Sequence, residues 1–185
     1  GLGLIVFAII VSLYGVFHAR NIKVVNVKVK LPNIPLAWQG RKVVWMSDLH
    51  LGQFHGSKFA KKVVEKVNSL SPDIIFIGGD LFDGTSAPDI SELIAPLSKL
   101  SPKIKTYFIT GNHEEFGESD KFVSAVRMVG ITTLIDEMID LDGLQLIGVD
   151  YKNASKKEKF KKILQGLNID PEKPSILLKH EPKDL

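Results

Sequence analysis

Apolar runs of about four residues, each ending in a polar cluster, recur at intervals of about thirty residues, the length of one strand-helix-strand unit. Val43-Val44-Trp45-Met46 leads to Asp48-Leu49-His50, Ile74-Ile75-Phe76-Ile77 to Gly79-Asp80, and Thr106-Tyr107-Phe108-Ile109 to Gly111-Asn112-His113-Glu114. A fourth run, Ser175-Ile176-Leu177-Leu178, precedes His180. Short, uniformly apolar runs fit strands buried on both faces, as in parallel sheets covered by helices. If all four lie parallel in one sheet, their polar clusters share its carboxyl edge, where open α/β sheets place ligand sites.

The intervening segments agree. Ser57 to Leu70 reads as a helix with Phe59, Val63, Val64 and Val67 on one side, stopped by Ser71-Pro72-Asp73. A helix from about Asp89 to Leu100 is punctuated by Pro96, and another spans Ser119 to Gly130. Then the pattern changes: Met138 to Leu141 and Leu144 to Val149 flank Asp142-Gly143, a two-residue hairpin signal that brings in antiparallel pairing. A last helix near Ser155 to Leu167 precedes the fourth run. Alternation followed by a hairpin predicts an α/β layered fold with mixed sheets.

The first residues are of another kind. Gly1 to Phe17 carries no charge, is dominated by Leu, Ile, Val and Phe, and does not begin with Met. A fragment carrying a membrane anchor over residues 1–20 is the expectation, since a spanning helix needs about 20 apolar residues and ~17 is the short limit. Val16-Phe17-His18-Ala19 is a poor signal-peptide cleavage site. Arg20 and Lys23 follow, which by the positive-inside tendency leans toward a cytoplasmic domain. Residues 21–41 form a leading strand and linker, with Val25, Val27, Val29 and Leu31 alternating with polar residues until Pro32 and Pro35. The remaining domain is then 42–185.

Composition narrows the function. An apolar fraction of 44% in 185 residues supports a real core, and the net charge of +3 comes from lysines scattered among acids, with no basic stretch interleaved with aromatics. Nucleic acid is therefore not an expected partner. With no cysteine, thiolate chemistry is excluded. Asp48, His50, Asp80, Asn112 and His180 offer oxygen and nitrogen ligands suited to zinc, manganese, iron or magnesium. Singly, each cluster is as easily a turn; together, in this order and all at strand ends, they point to a site.

These clusters, in this order, resemble the signature of the calcineurin-like metallophosphoesterases, over about Lys42 to Pro182. The apolar leader followed by Ser47-Asp48-Leu49-His50-Leu51-Gly52 looks most like their bacterial membrane-anchored branch. The resemblance implies a four-layer α/β/β/α sandwich with two mixed sheets, preceded by the transmembrane helix. It implies two divalent ions (Mn, Fe, Zn or Mg): Asp48 and His50 bind the first, Asp80 bridges both, and Asn112 and His180 bind the second. A hydroxide activated by the pair would attack phosphorus. His113 would stabilise charge or protonate the leaving alcohol, Asp83 would pair with His113 and orient it, and Glu114 would hold ligands in place.

The implied reaction is hydrolysis of a phosphomonoester, phosphodiester or pyrophosphate. A tether makes a lipid-linked substrate plausible, such as the nucleotide-activated glycolipid UDP-2,3-diacylglucosamine. The rival reading is a non-catalytic membrane-anchored metal-binding module of the same fold. Relatives continue past the His180 position to a Gly-His-x-His element that gives one histidine to each metal. The sequence stops at Leu185, so the expectation is a domain incomplete at its carboxyl end that binds both metals more weakly. His55 reads as a loop histidine, His18 as interfacial, and Trp38 and Trp45 as core or strand-edge aromatics.

Overall fold

The computed structural model describes residues 1–19, 21–84, 89–116 and 119–183, and the chain divides into two compact units, 1–30 and 31–185. The first unit holds helix α1 (Leu2–Ala19). It is apolar along its length, with Leu2, Leu4, Ile5, Phe7 and Ile10 exposed. Among the described residues no helix is long and apolar enough to cross a membrane, which corrects the expected transmembrane helix. The charge asymmetry at Lys23 thus has no observed crossing to orient, and Arg20 lies outside the described residues. Residues 22–30 are not a strand either, and Val25, Val27 and Val29 are exposed. Alternation alone does not make a strand; a ladder partner is also needed.

In the second unit, a short 3-10 turn (Leu36–Trp38) leads into β1 (Val43–Met46), α2 (Ser57–Ser69), β2 (Ile74–Ile77) and α3 (Ile90–Ile94). After a 3-10 segment (Ala95–Lys99) come β3 (Lys105–Phe108), α4 (Asn112–Glu115), α5 (Ser119–Met128) and β4 (Thr132–Thr133). The hairpin β5 (Glu137–Leu141) and β6 (Leu144–Gly148) follows, then α6 (Tyr151–Ala154), α7 (Lys157–Gly166) and β7 (Ser175–Leu178). The hairpin turn is the expected one: Asp142 and Gly143 both have positive φ, 54° and 84°, as a type I′ turn demands.

Two sheets result, β1-β2-β3-β4 and β5-β6-β7. The first is wholly parallel, not mixed as expected, because each of its strands is reached by a helical crossover. The second is mixed: β5 and β6 are antiparallel, β6 and β7 parallel. The fourth apolar run, β7, therefore does not join the other three, because α7 returns it to β6 instead. Register still keeps the strand ends level. Met46, Ile77 and Phe108 are aligned across the first sheet, and Gly148 with Leu178 across the second.

The inner faces meet in one core, where Ile74, Phe76, Tyr107 and Ile109 pack with Leu134, Leu144, Leu146 and Leu178. Burying each such side chain contributes about 1.5–3 kcal/mol. Contact is close enough that a Cβ on Gly148 would lie 2.2 Å from the Leu134 Cβ. Trp38 closes the end of this core, donating its indole N–H to the Leu141 carbonyl at 2.7 Å. On the far side of the second sheet Ile147 and Val149 pack with Phe160 of α7. Ile75, Ile77 and Phe108, on the outer face of the first sheet, are equally buried, and α2 and α5 supply buried apolar stripes of their own.

Candidate metal centre

Beyond the level ends of β1 and β2 the chain keeps pairing. The N–H of Asp48 donates to Gly79 O, that of His50 to Asp80 O, and that of Leu51 to Leu81 O, at 3.1, 3.0 and 2.8 Å. Pairing at such close quarters bends the backbone sharply, and Asp48, His50 and Asp80 have φ of 57°, 44° and 50°. Asp and His enter this left-handed region more readily than most residues, yet each such residue stores about 1–3 kcal/mol. Three candidate ligands thus carry backbone strain. Between them Gly79 (φ 90°) must be glycine, since a Cβ there would meet the Gly111 nitrogen at 2.5 Å.

Asp80 is the centre of the cluster, its side chain 4% exposed. Oδ1 accepts the His113 backbone N–H at 2.9 Å. Oδ2 faces three imidazole nitrogens, the Nε2 atoms of His180, His50 and His113, at 3.5, 3.7 and 4.0 Å. These distances are at or beyond the reach of a hydrogen bond. An Asp48 oxygen lies 4.0 Å from His50 Nε2, and Asn112 Oδ1 lies 3.1 Å from His180 Nε2.

The far sides of two rings fix their tautomers. His113 Nδ1 donates to the Asp83 carbonyl at 2.8 Å, and His180 Nδ1 to the Gly78 carbonyl at 2.7 Å. A carbonyl only accepts, so each Nδ1 carries a proton, and in the neutral ring the lone pair is on Nε2. His180 Nε2 and Asn112 Oδ1 then aim two acceptors at one place. Convergent lone pairs with no proton between them suit a shared cation, and carbonyl-anchored Nδ1 atoms are the usual support for histidine ligands. Two sets of ligand atoms lie within 4.8 Å of one another, Asp48-Asp80-His180 and His50-Asp80-His113, with Asp80 common to both. The nitrogen and oxygen donors fit borderline or hard divalent ions.

All five sequence-predicted ligands are therefore brought together, although His180 comes from the second sheet. Glu114, fully buried, ties the loops beneath them. It accepts the backbone N–H groups of Gly111, Asp80 and Phe82 at 2.7, 2.9 and 3.1 Å. Burial pushes its carboxyl pKa up, those three N–H groups oppose the rise, and the neighbouring Asp80 charge adds to it.

The profile of calcineurin-like phosphoesterases matches residues 41–184. The chain belongs to that family. A metallophosphoesterase from Helicobacter pylori is 32% identical over 148 residues, 78% of this chain and 39% of that protein. A Danio rerio protein named as a transmembrane protein with a metallophosphoesterase domain is 30% identical over 196 residues, 98% of this chain and 44% of its own. A Campylobacter jejuni metallophosphoesterase is 29% identical over 181 residues, 96% and 47%. The chain thus spans less than half the length of these relatives. Divalent metals are the cofactors of calcineurin-like phosphoesterases, and the His/Asp cluster can hold them.

The expected contact between Asp83 and His113 runs through the backbone. Asp83 meets His113 through its backbone carbonyl, while its carboxylate accepts the Gln53 N–H at 3.1 Å. The Asp83 N–H is engaged by Leu51 O at 3.1 Å, and its side chain lies so close over Gly52 that a Cβ there would be 1.8 Å from Oδ2. His55 is a loop residue outside the cluster, bonded to the Leu49 carbonyl and stacked on Phe59. Trp38 is core, and half-exposed Trp45 lies against Gly78.

Sequence reasoning missed Thr110, Asp150, Tyr151 and Phe116. Phe116 is exposed with its ring edge-on to His113, centroids 5.1 Å apart, and Tyr151 is edge-on to His180 at 5.8 Å. The signal for Asp150-Tyr151 was present: it ends the apolar run Leu144 to Val149 as the other clusters end theirs.

Proposed function

We propose that this chain carries the catalytic centre of a divalent-metal-dependent phosphoesterase that hydrolyses a phosphomonoester, phosphodiester or pyrophosphate bond. The observation that carries the reading is the convergence of three imidazole nitrogens on one buried Asp80 oxygen. Asp48, His50, Asp80, Asn112 and His180 would hold two cations, with Asp80 shared. Bound there, the cations supply Lewis acidity toward a phosphoryl oxygen and lower the pKa of water.

The chain's own residues do the rest. His113, partly exposed and with Nδ1 committed to the Asp83 carbonyl, turns Nε2 toward the site, where the ring in its imidazolium form would give the Nε2 proton to the leaving oxygen and return to the neutral Nδ1–H tautomer. Its rigid tautomer is what general acid-base work requires. Asp83 acts through His113 as a positioning residue. Asp48 and His50 are partly open to solvent, giving a substrate phosphate a route in.

Membrane association through α1 is part of this reading, supported by its exposed apolar side chains and by relatives named as transmembrane proteins. It makes a lipid-linked phosphate or pyrophosphate the substrate class to test first. The experiment is turnover of soluble aryl phosphates, nucleotides and lipid phosphates in mixed micelles with Mn²⁺. Turnover of soluble substrates alone removes the lipid proposal. Stoichiometric Mn²⁺ binding without turnover of any phosphoester leaves the non-catalytic module instead.

A further inference from the structure

Resting on the metal-centre reading, we infer that Thr110 and Asp150 form a positioning pair that fixes Asn112 relative to His180, two candidate ligands carried by different sheets. Thr110 is fully buried, two residues before Asn112. Its hydroxyl donates to Asp150 Oδ1 at 2.6 Å and accepts the Tyr151 N–H at 2.9 Å. Asp150 stands two residues beyond Gly148, as His180 stands two beyond Leu178, and those two strand ends are paired. The hydroxyl therefore joins the carboxyl edge of the first sheet to that of the second directly beneath the ligands.

Asp150 is itself held. Its N–H donates to Asp136 Oδ1 at 2.9 Å, and its carbonyl accepts from Ala154 at 2.8 Å to start α6. The first residue of that helix is Tyr151, whose ring edge packs on His180. Apolar contact between the sheets is non-directional and tolerates sliding; a short hydrogen bond to a carboxylate does not. One buried hydroxyl thus sets both the spacing of the sheets at this edge and, through Tyr151, the seat of the His180 ring.

The test is Mn²⁺ titration of the full chain by calorimetry, with EPR for the spin-coupled pair, on Thr110→Val, Thr110→Ser and a control, Val126→Ala, in the buried face of α5. Thr110→Val keeps the shape and removes the hydroxyl. The expected result is a loss of about tenfold or more in affinity for one of two Mn²⁺ ions, the range for lost ligand support, with a weakened coupled signal. Thr110→Ser restores both. Val126→Ala lowers the melting temperature without changing Mn²⁺ affinity. Wild-type affinities in Thr110→Val, or an equal loss in Val126→Ala, overturn the inference alone. Failure of the unsubstituted protein to bind Mn²⁺ overturns the metal-centre reading and this inference with it.

Discussion

Glu114 accepts the Asp80 backbone N–H at 2.9 Å, so a fully buried carboxylate holds the residue that both ligand sets share. The same carboxylate reaches Gly111 and Phe82, and three donors depend on it. Glu114→Gln turns one acceptor into an N–H donor facing other N–H groups. Leaving a buried group unsatisfied costs about 1–3 kcal/mol. Denaturant melts of the metal-free protein check this, and an unchanged midpoint would contradict the clasp.

Asp80→Asn should release both cations together. Asparagine tolerates the left-handed backbone that Asp80 adopts, so the fold should survive while the shared anionic ligand is lost. Metal analysis after gel filtration decides the matter. Retention of one ion at full occupancy would show that Asp80 serves a single site.

His113 and Asp83 should separate in mutagenesis. His113→Ala removes the proton-carrying Nε2 and is expected to lower kcat by about 10²–10⁴-fold with metal content intact. Asp83→Asn keeps the carbonyl that His113 bonds to, so its kcat should stay within about tenfold of wild type, the lower end of losses for altered ligand support. A loss in Asp83→Asn as deep as in His113→Ala would instead assign the orienting role to the carboxylate.

Acid should weaken a tie far from the centre. Asp73 receives Lys103 Nζ at 2.8 Å and the Lys42 N–H at 2.7 Å. The Lys103 bond first, then the Lys42 N–H, hold its carboxyl below the usual range. A depressed carboxyl stabilises the fold above the unfolded value of about 3.9 and loses that contribution as pH falls through the lower folded value. Urea melts from pH 6 downward should show wild type and Asp73→Asn converging below pH ~4. Lys103 is exposed, so the gap is modest; parallel curves at all pH values would remove the assignment.

What could be read from the sequence was local. The bounds of β2 follow from Pro72-Asp73 before it and two glycines after it, and Pro96 splits α3 from a 3-10 segment because proline cannot donate into the helix. The five candidate ligands were legible because each follows an apolar run. The sheet that receives the last run was not, since β7 chooses β6 through long-range pairing. Asp83 was found as a residue but not as an atom: only coordinates distinguish its carbonyl from its carboxylate. Thr110 carries no sign of its role, because its partner lies 40 residues away. At the N-terminal side the exposed valines of residues 22–30 carry a strand's pattern without a strand's neighbour.

His180 bonds to Gly78 across 102 residues of chain, and that separation sets an order of events during synthesis. Asp48, His50, Asp80 and Asn112 leave the ribosome well before His180 does, and domains gain structure as they emerge. A nascent chain halted before residue 180 would hold an unfinished donor set on a single sheet. The proposed donor set is thereby brought together only once both sheets exist.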